Sequence, residues 1–269
     1  MLPRTKKGEQ SHRLKKRRLE IKRIVSLIEN YIKKHPSNFK HELNLLEFGC
    51  GSGFQIPYLQ KLGAVTAIDV RISKNLQRTN QANYAECDIS NSPFINNHFD
   101  LIFSNHVIEH VRDLDIAFDE LKRIGKKNCL YALAVPTNVW LLLSIPAQYL
   151  QKLRAIQQHI KRLAKKDYAS DQKKSEGFDF SYSGNSVPVS ILLDKFKPHG
   201  HGSIRNFRAC YQAFRKDSWN DLFKRHGFKV ITSQPLLLYA PSEWPIIPIM
   251  DVKGKAKTCS SIVYLLSQN

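Results

Sequence analysis

The stretch that decides the fold is Leu45-Leu46-Glu47-Phe48-Gly49-Cys50-Gly51-Ser52-Gly53. An apolar run, residues 43–48, enters a turn with glycines at alternate positions, and a helical stretch follows over 55–62. Glycine permits positive φ and lets a ligand approach the backbone with no Cβ in the way. The unit fits either a bare strand–helix turn or a ligand cradle. A dinucleotide fingerprint would need glycine where this chain has Phe54. A carboxylate at Glu47 instead suits a ligand that carries an ammonium group, whereas a pyrophosphate wants open helix-terminal N–H groups.

Outward from this turn the chain alternates. Residues 64–70 predict a second strand, with Asp69 where a carboxylate can accept hydrogen bonds from ribose hydroxyls. Residues 71–79 predict a helix, 84–87 and 99–104 two strands, 114–124 a helix and 129–135 a fifth strand. That rhythm predicts an α/β protein with a doubly wound, mostly parallel sheet. It breaks after Pro136. Residues 140–145 are strongly apolar, Pro146 interrupts, and 150–163 form a basic amphipathic helix before a polar stretch. Helix 216–226, stopped by Gly227, and strands near 228–232 and 262–266 restore the pattern. Residues 136–210 therefore predict an inserted helical or irregular lid in a domain spanning 43–269. Residues 1–42 predict a basic arm with an amphipathic helix, on which Ile21, Ile24, Val25, Ile28 and Ile32 share a face. That helix ends at His35-Pro36. Removal of residues 1–18 is expected to leave ligand affinity intact.

Four runs in order, LNLLEFGCGSG (43–53), AIDV (67–70), AECDIS (85–90) and FDLIFSNHVIEHV (99–111), resemble the class I S-adenosylmethionine-dependent methyltransferases. The resemblance is closest to the type 11 subgroup, which includes quinone-biosynthesis enzymes, and covers residues 43–136. It implies a seven-stranded Rossmann-like sheet with the last strand antiparallel, and S-adenosylmethionine as cofactor. Carried onto this chain, it places Glu47 and the loop Gly49, Cys50, Gly51 and Gly53 against the methionine part. Asp69, with Val70 beside it, would hold the ribose, and Asp88 with Ile89 would flank the adenine. Asn105 and His106 would lie near the transferring methyl group.

His106-Val107-Ile108-Glu109-His110 also matches H-x-x-E-H, a metalloprotease pattern in which two histidines one helical turn apart hold zinc. The segment follows a strand of a fold already claimed by the glycine turn, and no third ligand is evident. Some quinone methyltransferases hold a divalent ion with E-x-x-E-H, but His106 stands in place of the first glutamate. No metal is expected. A hydroxyl acceptor would benefit from a base of pKa near 7, for which His106, His110, His199 and His201 are the candidates.

The chain has 269 residues, 42% of them hydrophobic, which excludes a globally disordered protein. Of the net charge of +19, nine charges fall in residues 1–42 and six in 151–175, so the body is nearly neutral. Five scattered cysteines without a CxxC predict reduced thiols rather than a disulfide framework or zinc ribbon. The N-terminus carries no apolar signal core, and a cytoplasmic protein, peripheral to a membrane, is expected. Apolar segments beside lysines and arginines predict a small or membrane-associated acceptor: a lipid-linked sugar, a surface glycan precursor or a quinone. The alternatives are an RNA methyltransferase that uses the basic arm, though no RNA-binding module is visible, and a non-catalytic scaffold.

Overall fold

A computed structural model describes residues 6–39, 41–74, 76, 82–166, 197–240, 249–252 and 258–269. Seven strands form one sheet: β1 (Leu43–Phe48), β2 (Gly63–Asp69), β3 (Ala82–Glu86), β4 (Phe99–Asn105), β5 (Gly125–Pro136), β6 (Phe228–Pro235) and β9 (Ser261–Gln268). Two short strands, β7 (Leu237–Leu238) and β8 (Met250–Asp251), pair separately. The sheet order is β3-β2-β1-β4-β5-β9-β6. Strands β1 to β5 pair in parallel, while β9 runs antiparallel to both β5 and β6. This is the expected seven-stranded Rossmann-like sheet with its last strand reversed. The chain winds outward from β1 through β2 to β3, then returns to place β4 on the other side of β1. That reversal opens a crevice at the carboxyl ends of β1 and β4, where ligands bind in such sheets.

The central strands carry near-continuous apolar runs because both faces are covered. On one face, Ile21, Ile24 and Ile28 of α1 (Lys6–Lys34) pack with Leu45, Val65, Leu101 and Phe103. On the other, Phe118 and Leu121 of α3 (Leu114–Ile124) pack with Phe48, Ile102, Tyr131 and Phe228. Helix α3 starts where the Asp113 side chain accepts from the Ile116 N–H, and its apolar positions recur at 117, 118, 121 and 124.

Four expectations change. The arm's helix begins already at Lys6, while its apolar stripe packs on the domain as its spacing predicts. The helix after the glycine turn shrinks to α2 (Ile56–Leu59), and the helix expected over 71–79 lies partly outside the described residues, with 71–74 and 76 non-helical. Pro146 does not end a helix: α4 (Asn138–Lys166) runs through it. A proline costs one backbone bond, but Leu141 and Ala147 are buried on either side of it. The Gln148 amide bonds both the N–H and the carbonyl of His199. Helices α5 (Phe207–Ala213) and α6 (Lys216–Arg225) lead into β6, and Gly227, between α6 and β6, has φ 78°. Much of the expected insertion, residues 167–196, lies outside the described residues.

Candidate active site

The turn after β1 is held from below. The N–H groups of Gly49 and Cys50 both donate to the Ile68 carbonyl, at 2.8 and 3.0 Å, and Gly51 N–H donates to Asp69 Oδ2 at 2.8 Å. To make these bonds the chain adopts φ of 76°, 56° and 71° at Gly49, Gly51 and Gly53, a region that penalises any Cβ. A Cβ on Gly49 would lie 2.3 Å from Val107 Cγ2, whereas one on Gly51 would meet nothing within 4 Å. The first glycine is needed for packing, and the second leaves open room on the ligand side. Cys50 is buried, and burial with nearby Glu47 and Asp69 raises its thiol pKa to about 12, so it is no nucleophile.

Beneath the turn runs a polar relay. Asn105 Nδ2 donates to Gln55 Oε1 at 2.7 Å, and Gln55 Nε2 donates to Glu47 Oε1 at 3.0 Å. Glu47 is fully buried, and burial pushes its pKa up to about 8 against the opposing pull of Gln55 and Arg17. Glu47 Oε2 and Asn105 Oδ1 are buried acceptors without a hydrogen-bond partner. Two orphan acceptors beside an open glycine turn fit a ligand that brings N–H donors, as the ammonium group of S-adenosylmethionine does.

From the turn a cleft of about 730 Å³ extends over the carboxyl ends of the strands. Asp69, Val70, Asp88 and Ile89 line one end, and His106, Val107 and His110 the other. Val70 is exposed, an apolar lip suited to a flat ring, while Ile89 is buried behind it. Asp88 Oδ1 accepts from the Ser90 N–H at 2.9 Å and so shapes the turn after β3. Glu47, Cys50, Gly51, Gly53 and Asn105 support or adjoin the cleft without lining it. These residues can hold the cofactor's adenosine along the cleft and its methionine part over the glycine turn.

At the far end His106 takes φ 58°, uncommon for a residue with a Cβ. Its Nε2 lies 3.6 Å from Glu20 and 3.5 Å from the Tyr239 hydroxyl, and its Nδ1 lies 3.6 Å from Glu109. Burial pulls the His106 pKa down, but the two carboxylates outweigh it and raise it. Glu20 comes from α1 and is fully buried, accepting from Ser261 Oγ at 2.6 Å and pairing with Lys16 at 3.3 Å. Arg17, one residue on, stacks its guanidinium 4.8 Å from the Phe54 ring. The arm thus reaches the glycine turn and the site. Sequence reading missed Glu20, although positions 20, 24 and 28 share one helical face and place a carboxylate on an apolar stripe.

The histidines divide. His110 is half-exposed and meets the His201 ring at 4.8 Å between centroids. His201 also packs on Trp140, and burial with nearby His110 lowers its pKa to about 4. His199 is exposed, with its Nδ1 2.8 Å from the Gly200 carbonyl, and does not join them. The segment 108–110 is a short 3-10 turn, so His106 and His110 do not form the helical pair of a metalloprotease.

Residues 46–133 match the family described as methyltransferase domain, type 11. No curated protein matches the sequence. Among solved structures, the chain is similar to the 1,6-didemethyltoxoflavin-N1-methyltransferase of Burkholderia thailandensis, crystallised with bound 1,6-didemethyltoxoflavin and S-adenosylhomocysteine. Identity is 11%, the TM-score is 0.50, and the match covers 93% of this chain and 78% of that one. An Aquifex aeolicus SAM-dependent methyltransferase is 14% identical over 87% of this chain and 88% of its own, with a TM-score of 0.44. A Listeria monocytogenes putative methyltransferase is 13% identical over 85% and 92%, with a TM-score of 0.45. The family match lies over the glycine turn and β4, inside the strand order that surrounds them, and marks the chain as an S-adenosylmethionine-dependent methyltransferase.

Proposed function

We propose that the protein methylates a small acceptor that resides in a membrane surface, such as a lipid-linked sugar, a surface glycan precursor or a quinone. The observation that supports this is on α4. Leu142, Tyr149 and Leu153 are exposed large apolar side chains at helical spacing along it, and Lys152 and Arg154 flank the row. Apolar side chains beside cations suit a helix lying in a bilayer interface. Among the described residues, no helix is long and apolar enough to cross a membrane.

Methyl transfer from a sulfonium is an in-line displacement: the acceptor's lone pair forms the new bond to carbon as the carbon–sulfur bond breaks, releasing S-adenosylhomocysteine. The protein's work is alignment. Glu47 and Asn105 would fix the methionine end, Asp69 the ribose, and Val70 and Ile89 the adenine, leaving the methyl group directed toward His106. Of the four candidate histidines His106 and His110 line the cleft, and we favour His106 for taking a hydroxyl proton because carboxylates beside both its ring nitrogens orient the ring.

The test uses S-adenosylmethionine labelled on its methyl group, incubated with the protein and an extract of its own cells containing membranes. Label in the organic or lipid-linked glycan fraction supports the reading, and label confined to RNA or to water-soluble products overturns it. Leu142→Asp with Leu153→Asp should reduce co-sedimentation with anionic vesicles while leaving cofactor affinity unchanged.

A further inference from the structure

We propose that Glu109, His110 and His201 form a site for one zinc-like divalent ion at the acceptor end of the cleft. Each offers one ligand atom, and the three atoms lie within 4.8 Å of one another. The objection raised by the sequence, that H-x-x-E-H lacked a third ligand, disappears once residues 199–203 fold back onto Glu109. His201 replaces His106 in the set.

Two independent features support the site. The first is a buried carboxylate that two histidines at long range answer only in part. The Glu109 side chain is 1% exposed, and neither of its oxygens has a hydrogen-bond partner. The nearest cationic candidates, His106 and His110, stand at 3.6 and 4.0 Å, beyond a hydrogen bond. A buried carboxylate without hydrogen bonds is costly, and an ion is one of the few partners that answers it. The second is a scaffold that presents His201. Ser203 N–H and Oγ both donate to the Glu109 carbonyl, at 2.9 and 3.2 Å, and His201 N–H donates to Cys210 Sγ at 3.3 Å. Gly202 makes the close approach possible: its φ is 65°, and a Cβ there would lie 2.1 Å from the Glu109 oxygen.

The ligand types choose the metal. Two imidazoles and one carboxylate favour zinc or a neighbouring first-row ion over magnesium, which prefers oxygen. Tetrahedral zinc with bonds of about 2.0–2.1 Å needs ligand atoms roughly 3.3 Å apart. The side chains must therefore draw in by as much as about 1.5 Å, to which half-exposed His110 can contribute by rotation. Three protein ligands leave a fourth position for water or for an acceptor hydroxyl, whose proton the ion would acidify. That last role rests on the methyl-transfer reading above; the site itself does not.

The experiment titrates Zn2+ into untagged, chelator-treated full-length protein against a chromophoric competing chelator. One ion per chain at micromolar affinity or tighter is expected. Glu109→Gln, His110→Ala and His201→Ala should each weaken it at least ~10-fold, and His199→Ala should not change it. The absence of a tight ion, or equal affinity in all variants, overturns the proposal. Because His110 is half-exposed, its variant tests the site even where a buried substitution disturbs folding. Cofactor titration of the same samples separates the readings: protein that binds S-adenosylmethionine but no zinc refutes only the metal site.

Discussion

Cofactor binding should expel a proton from Glu47. The carboxyl is fully buried beneath the glycine turn, with a pKa of about 8 in the unliganded protein. Gln55 and, through it, Asn105 face it from α2 and β4; Arg17 faces it from α1 and Asp69 from β2, and only Arg17 carries a positive charge. At pH 7 about nine in ten copies therefore hold the proton. An ammonium group arriving at Oε2 requires the ionised form, so binding should release about 0.9 protons. The ligand's own α-amino group, with a pKa of about 7.7–8.0, takes back about 0.1. The net release of about 0.8 is measured by calorimetry in buffers of different ionisation enthalpy. It should fall to near zero in Glu47→Gln, which keeps the Gln55 contact but cannot ionise. Raising the pH to 9 should also lower the wild-type release, because Glu47 is then already ionised. A release near zero in the wild type, or the same release in Glu47→Gln, would refute the placement of the ammonium group. The stability of the unliganded protein follows with its own sign. A carboxyl whose folded pKa lies above its unfolded 4.5 makes the fold lose stability as pH rises from about 4.5 to 8.

Asp69→Ala removes the acceptor for Gly51 N–H and the carboxylate proposed to hold the ribose, and should weaken cofactor binding by about 1.5–3 kcal/mol in a direct titration. An unchanged affinity would remove Asp69 from the site. Glu20 behaves oppositely to Glu47. Burial raises its pKa, but Lys16, His106 and Ser261 bring it down to about 2. It should contribute about 3 kcal/mol that is present above pH 4.5 and lost as the pH falls toward 2. Acid unfolding of Glu20→Gln should accordingly be flatter than that of the wild type over this window. Deleting residues 1–18 removes Lys16 from Glu20 and Arg17 from Phe54. The expected outcome is a melting temperature lower by several degrees and weaker cofactor binding; equal values in both assays would return the arm to the status of a dispensable tail.

What could be read in advance was what short stretches specify locally. The glycine turn, Asp69 and the β4 run are each specified by their neighbours in sequence, so the doubly wound, mostly parallel sheet and a candidate cofactor cradle were legible from residues 43–136. Helix α3 was legible to the residue because an aspartate cap and an apolar stripe agree. Pro146 misled because a local rule was overridden by tertiary contacts on both sides of it. The acceptor end was hidden for a deeper reason. His106, Glu109 and His110 meet Glu20, near the start of the chain, and His201, about ninety residues further on, only in the folded structure. No spacing announces such a meeting. It depends on Gly202 adopting φ 65° against the Glu109 backbone and on Glu20 lying in an otherwise apolar helical stripe. A charged side chain on a buried stripe costs stability unless it has partners, so Glu20 was the one signal in the sequence that a polar site lay beneath α1. The same argument applies to Glu109, whose two oxygens still lack a hydrogen-bond partner.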